Sequence, residues 1–316
     1  MIDLGLVLFR FLHYGAVTTL AGVAFFAFYA YAGCEPAALA RWRGRVLLWS
    51  ALLALVSGLG WFAFAVANMS GGLADVTDPE VLLSVVEDTG FGVVWTVRMI
   101  LAVLLVAVTI ASARLQAAKG PQSKGRDLLI SFLAAGLLAS LAGAGHSQIE
   151  EGWQGGLHVA ADAAHLLAAG AWLGGLIPLG FILLGPAGQR NGPDAIDVDG
   201  VLMRFSGIGY AAVATLVGTG LVNSWLLVGS VSSLIHSTYG QILMAKLAFF
   251  AGMLTLAAAN RFWLVPALES SRRTGAVMSN VWHGKLRTHV LSEQALGLLV
   301  LLSVSILGTI GPAIGQ

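Results

Sequence analysis

The chain has 316 residues, of which 57% are hydrophobic and 10% charged, with a formal net charge of +1. Soluble domains carry about 25% charged residues, so these charges are too few to cover a water-facing surface and the natural solvent is a lipid bilayer. The near-zero charge argues against a nucleic-acid partner, and the lone cysteine, Cys34, excludes an internal disulfide and a cysteine-pair metal relay.

The opening Met1-Ile2-Asp3 has no positive flank, and the apolar stretch behind it runs too long for a cleaved signal. It is read as a retained helix. A spanning helix needs about 20 mostly apolar residues. Eight segments qualify in chain order: 4–33, 45–68, 92–115, 127–145, 157–184, 204–229, 239–265 and 288–311. They are apolar all round and lack the two-residue alternation of barrel strands. The predicted fold is an all-α bundle of eight transmembrane helices, a single polytopic domain over 1–316.

Orientation follows from lysine and arginine. The linkers after spans one, three, five and seven hold Arg41, Arg43, Arg45, Arg114, Lys119, Lys124, Arg126, Arg190, Arg204, Arg261, Arg272, Arg273, Lys285 and Arg287. The remaining bases, Arg10, Arg98 and Lys246, lie inside spans. The linkers on the opposite side, near 69–91, 146–156 and 230–238, hold only acids: Asp75, Asp78, Glu80, Glu87, Asp88, Glu150 and Glu151. Both termini are therefore expected on the outer, periplasmic side of a bacterial inner membrane. No linker exceeds about 25 residues, too short for a soluble catalytic domain, and there is no G-x-x-x-x-G-K-[ST] phosphate loop. An enzyme and a built-in ATP motor are both disfavoured.

The two halves match. His13 precedes Gly22 by nine residues, and His165 precedes Gly174 by nine. Phe91-Gly92 is followed by Arg98, and Tyr239-Gly240 by Lys246, each six residues after its glycine. Arg126, Ser131 and Gly136-Leu137-Leu138 answer Arg287, Ser292 and Gly297-Leu298-Leu299. Gly58-Leu59-Gly60 answers Gly218-Thr219-Gly220. Four spans per half predict two parallel repeats, about 1–145 and 157–316, related by an axis along the membrane normal. His13 is then expected opposite His165, and Arg98 opposite Lys246.

Five of the seven histidines, His13, His146, His158, His165 and His236, fall on the outer side. His283 and His289 lie among inner basic residues and are read as solvated. His158, Asp162 and His165 are spaced to share one helix face, a stripe descending about 10 Å from the outer surface. Imidazole suits copper, zinc, iron and nickel, and a carboxylate can bind metal or orient an imidazole. With His146 at its mouth, this stripe is a candidate metal site. The plain alternative is interhelical hydrogen bonding, though ionisable groups inside a span mark function by default. Met69, Met99 and Met244 are placed to offer thioether to Cu(I), against an ordinary packing role. Arg98 and Lys246 are candidates to pair with Asp162 or an outer carboxylate, or to hold an anionic ligand. Another reading makes His13 and His165 axial ligands of a haem, with Arg98 and Lys246 at its propionates. Gly170-Ala171-Trp172-Leu173-Gly174-Gly175 allows close helix approach, Pro178 is a candidate kink, and Trp61, Trp95, Trp153 and Trp225 are candidate interfacial anchors.

The stretch HVAADAAHLLAAGAWLGGLIP at 158–178 resembles the hallmark span of the CopD/PcoD copper-resistance family. Arg204-Phe205-Ser206, GTGLVNSWLLVGS, TYGQILMAKLAFF, AANRFWLVPAL and Glu293 in LSEQALGLLVLL fit the same family, as does the opening FRFLHYGAVTTLAGVAFFAFYAY. The resemblance covers nearly the whole chain. It implies copper resistance, and copper uptake across the inner membrane alongside a separate periplasmic carrier of the CopC kind. The 158–178 span is also similar to the haem-associated HemJ family, which implies the haem alternative.

Overall fold

In lipid, a chain segment must satisfy its backbone polar groups internally, which leaves helices for apolar runs of this length. The computed structural model describes residues 1–33, 35–119, 124–144, 152–185, 196–228, 230–274 and 276–311. Among them, eight helices are long and apolar enough to cross a membrane. They are α1 (Ile2–Tyr29), α2 (Ala37–Ser70), α3 (Gly90–Gln116), α4 (Lys124–Ala142), α5 (Gly155–Leu184), α6 (Val198–Trp225), α7 (Thr238–Leu268) and α8 (Val281–Leu307). The number and order agree with the sequence. Several helices start earlier than hydropathy places them, because charged residues such as Arg41 and Arg43 in α2 and Asp199 in α6 continue the helix beyond its apolar part.

The helix ends divide the molecule into a face with basic linkers and a face with acidic linkers. Helix α1 is the hub. It packs on α2, α4, α5 and α8, and α3 closes a ring of four with α2 and α4. Helix α5 packs on α6 and α8, and α8 lies along α7. Helices α6 and α7 barely touch within the described residues. The hub contact uses glycine. A β-carbon on Gly22 would collide with the backbone of Gly174, and one on Gly174 with the carbonyl of Thr18. Small residues at such a crossing let two backbones meet.

Each half also carries a short helix on the acidic face. Pro79–Asp88 is capped by Asp78, whose carboxylate accepts from the Glu80 N–H at 2.9 Å. Val231–His236 is capped by Ser230. The next span begins with a glycine that admits the short helix's backbone: Gly92 lies against the carbonyl of Val85, and Gly240 against that of Leu234.

Helix α5 widens into a π-turn at Gly170–Gly174, and α7 does the same at Asn260–Leu264. Pro178 and Pro266 follow within a turn. Neither offers an N–H to the ladder, so irregular hydrogen bonding just before them is the expected accommodation.

Three helix C-termini are closed by arginines from other helices. Arg10 Nη1 donates to Gly308 O at 2.8 Å beyond α8, Arg98 Nη2 to Ser140 O at 3.0 Å near the end of α4, and Arg204 Nη1 to Ala30 O at 3.0 Å beyond α1. Terminal carbonyls have no partner within their own helix and carry partial negative charge, so a guanidinium there is favourable. On the basic face, Arg43 bridges Glu35 and Asp127, both at 2.8 Å, tying α4 to the α1–α2 linker.

Candidate functional site

Helices α5 and α6 run antiparallel, and their polar residues meet rung by rung. His165 Nδ1 lies 2.9 Å from Thr219 Oγ1, and Asn223 Nδ2 donates to Asp162 Oδ1 at 3.2 Å. Spacings of three on α5 and four on α6 put both rungs on the facing surfaces. Thr219 spends its only proton on Thr215 O, at 2.6 Å. It therefore accepts from His165 Nδ1–H, which leaves the Nε2 lone pair open. The carbonyl oxygen of Asn223 is buried with no hydrogen-bond partner. His158, one turn above Asp162, is 3% exposed, and both it and Lys246 of α7 interact electrostatically with Asp162. An imidazole nitrogen, a carboxylate and an unpaired carbonyl oxygen thus line one seam, near a single ammonium group. Among the described residues no three His, Cys, Asp or Glu side chains form a closed metal cluster.

The equivalent place in the first half is built differently. His13, 0% exposed, sets Nδ1 2.9 Å from Ala54 O and 3.2 Å from Ser57 Oγ. A carbonyl only accepts, so His13 Nδ1 also carries the proton, and its buried Nε2 has no partner. Its Cε1 and Met99 Sδ lie 3.3 and 3.1 Å from where a β-carbon on Gly58 would sit. Arg98 and Arg10 stand over the Trp61 ring at 4.8 and 4.9 Å, and Arg10 Nη2 donates to the Tyr14 hydroxyl. Their contacts are helix-end carbonyls, hydroxyls and an aromatic face, without a carboxylate. A bare cation beside His13 would face two guanidinium groups at short range in low dielectric. Next to His165 it would meet Asp162 and Lys246, whose charges offset. Electrostatics therefore makes the second half the more favourable surroundings for a cation.

Several expectations change. Among the described residues Arg98 pairs with no acid; its guanidinium closes α4 and covers Trp61. Trp61 is no interfacial anchor: at 1% exposure it is the buried plate between α1, α2 and α3, whereas Trp153 and Trp225 are exposed as anchors would be. His13 and His165 are each held against a neighbouring helix of their own half, α2 and α6. Met69 and Met244 are exposed on the bundle surface, and only Met99 sits beside a polar cluster. His236 is exposed on its short helix. His146 lies outside the described residues. His283 and His289 are not solvated: His283 is buried, and His289 Nδ1 lies 2.9 Å from Asn260 Oδ1. The glycine facing His165 is Gly220, as Gly58 faces His13, so the match between halves runs Ser57-Gly58 to Thr219-Gly220, two residues from the register expected from sequence.

Asn223 and Thr219 are the site residues that sequence reading missed. Both stand in the GTGLVNSW stretch, but a lone amide and a lone hydroxyl in an apolar helix give no periodic signal.

Comparison with known proteins identifies the family. Residues 1–157 match the family model for the N-terminal domain of copper resistance protein D-like proteins, and residues 199–307 the model for copper resistance protein D. The chain is 33% identical to copper resistance protein D of Pseudomonas syringae pv. tomato, covering 96% of this chain and 95% of that one. It is 30% identical to the inner membrane protein YebZ of Escherichia coli K12, covering 96% and 97%. Identity to the copper transport protein CutJ of Bacillus subtilis is 28%, over 94% of this chain and 51% of that longer one. No solved structure matches. Eight membrane-spanning helices, two family models in series and a full-length relative at one-third identity together place this chain in the copper resistance protein D family.

Proposed function

We propose that this chain carries copper across the bacterial inner membrane, inward from the periplasm, along the α5–α6 seam. The observation that carries the proposal is the pair of facing rungs, Asp162 with Asn223 and His165 with Thr219. They align an open imidazole nitrogen, a carboxylate and an unpaired carbonyl oxygen below the acidic face. Copper accepts nitrogen and oxygen donors of this kind. His158 stands above them, and His146, in the linker before α5, is the first ligand in our reading. Lys246 balances Asp162 when no ion is present, and an arriving cation takes over that partnership.

The inward direction rests on charge placement. Basic linkers belong to the cytoplasmic side, which puts the acidic linkers, the mouth of the seam and both termini in the periplasm. A separate carrier of the CopC kind is the natural donor at that mouth. The chain is a transporter and not an enzyme in this reading, with copper as its cargo. A duplicated four-helix architecture is supported by three paired features: His13 with Ser57 and His165 with Thr219; Gly92 and Gly240 under their short helices; and Gly22 meeting Gly174.

The test is copper accumulation in cells carrying the double substitution His158→Ala and His165→Ala. Accumulation should fall to the level of cells lacking the protein, with membrane abundance unchanged. Wild-type accumulation by the double variant would overturn the assignment of this seam.

A further inference from the structure

Between α5, α6, α7 and α8, in the basic-side half of the bundle, lies a cavity of about 180 Å³. Its wall is largely leucine, valine, phenylalanine and tryptophan. It forms there because α6 and α7 barely meet, leaving a cleft down the side of the second half. Into this apolar wall the protein sets a carboxyl group: Glu293 of α8, 2% exposed. Asn260, in the π-turn of α7, donates from Nδ2 to Glu293 Oε1, at 2.6 Å. The same carboxamide turns its Oδ1 to His289 Nδ1, 2.9 Å away.

The amide fixes the chemistry of both neighbours. With its NH2 donating to Glu293 Oε1, Asn260 turns its carbonyl to His289, and a carbonyl only accepts. His289 Nδ1 therefore carries the proton, and Nε2 presents a lone pair. His289 and Glu293 are four residues apart on α8 and share one face. An imidazole whose far nitrogen is held by a hydrogen-bonded group, one turn from a carboxylate held by the same group, is how proteins orient metal ligands from behind. Arg261, the cation in the cavity wall, has Nη1 3.0 Å from Met203 Sδ, on α6. Burial in an apolar wall penalises an ionised carboxylate, and a bound cation would offset that penalty.

We infer that Glu293 Oε2 and His289 Nε2 form a second cation site, a two-donor copper site at the inner end of the path, oriented by Asn260, with Glu293 and Asn260 in the cavity wall. The inference rests on the transport reading for the identity of its ion. The site receives copper from the Asp162–His165 seam and releases it toward the basic face.

The test is an equilibrium titration of the purified full-length protein in detergent with Cu(I), buffered by a chromophoric chelator. Wild type should withdraw two copper equivalents. Glu293→Gln and His289→Ala should each weaken one equivalent at least tenfold, and His158→Ala with His165→Ala should weaken the other. Should Glu293→Gln not reach the membrane, His289→Gln, at a half-buried ring, carries the same comparison. If the inner variants bind like wild type while the outer double variant loses copper, the inner site is overturned and the seam stands. If both sites bind but proteoliposomes do not move copper, the transport reading fails and the inner site survives. Wild type withdrawing no copper would overturn both.

Discussion

Three histidines share one device. His13, His165 and His289 each commit Nδ1 to a carbonyl oxygen or hydroxyl, and so face outward with Nε2. What differs is the charge beside them: two guanidinium groups at His13, a carboxylate offset by an ammonium at His165, a carboxylate alone at His289. A one-charge change at Asp162 should therefore matter twice. Asp162→Asn is expected to abolish copper accumulation. It should also lower the thermal stability of the purified protein, by about 1–3 kcal/mol, because Lys246 is left inside the span without its electrostatic partner. Adding Lys246→Met should restore most of the stability and none of the transport. Recovery of transport in the double variant would show that Asp162 acts only as a counter-ion. The sequence makes His158, Asp162 and His165 legible because three polar residues repeat at helical spacing in an apolar run. Asn223, Asn260 and Trp61 are not legible, since each acts on a residue of another helix.

At the scale of helices, the close α1–α5 crossing holds the two halves together. Gly22→Ala and Gly174→Ala each put a methyl group into the opposing backbone, a steric change that costs about 1–3 kcal/mol. Either should lower the melting temperature in detergent, while Gly15→Ala, which meets open space, should leave it unchanged. Equal melting of all three would refute the crossing. The three arginine-closed helix ends follow the same logic. Arg10 reaches α8, Arg98 reaches α4 and Arg204 reaches the end of α1, so cations that hydropathy alone counts against a span are used where partial negative charge collects. The sequence shows these arginines as anomalies. Their partners are backbone carbonyls, which every residue has, so no pattern in the chain points to them.

For the whole molecule, the segregation of basic and acidic linkers predicts which face looks outward. In a Cys34→Ser background, cysteine introduced at Ser84, between α2 and α3, should react with a membrane-impermeant thiol reagent in intact spheroplasts. Cysteine at Ala38, at the basic end of α2, should react only after lysis. The reverse pattern would put the mouth of the α5–α6 seam in the cytoplasm and turn import into export. Both positions are exposed, so accessibility depends on the side of the membrane and not on packing.

The sequence by itself determined the solvent, the number and order of spans, the segregation of basic and acidic linkers, the recurrence of motifs between halves and the His158–Asp162–His165 stripe. All of these are written in composition and in periodicity along one helix, where neighbours in space are neighbours in sequence. Only the tertiary structure decided what that stripe faces, that Arg98 closes a helix instead of pairing with an acid, that Trp61 is a buried plate, and that His289 and Glu293 meet through Asn260. Those facts concern pairs of helices. In a bundle whose spans are apolar on every side, hydrophobic periodicity does not mark which face meets which neighbour. That is settled by where glycines let backbones close and where a few polar groups find each other.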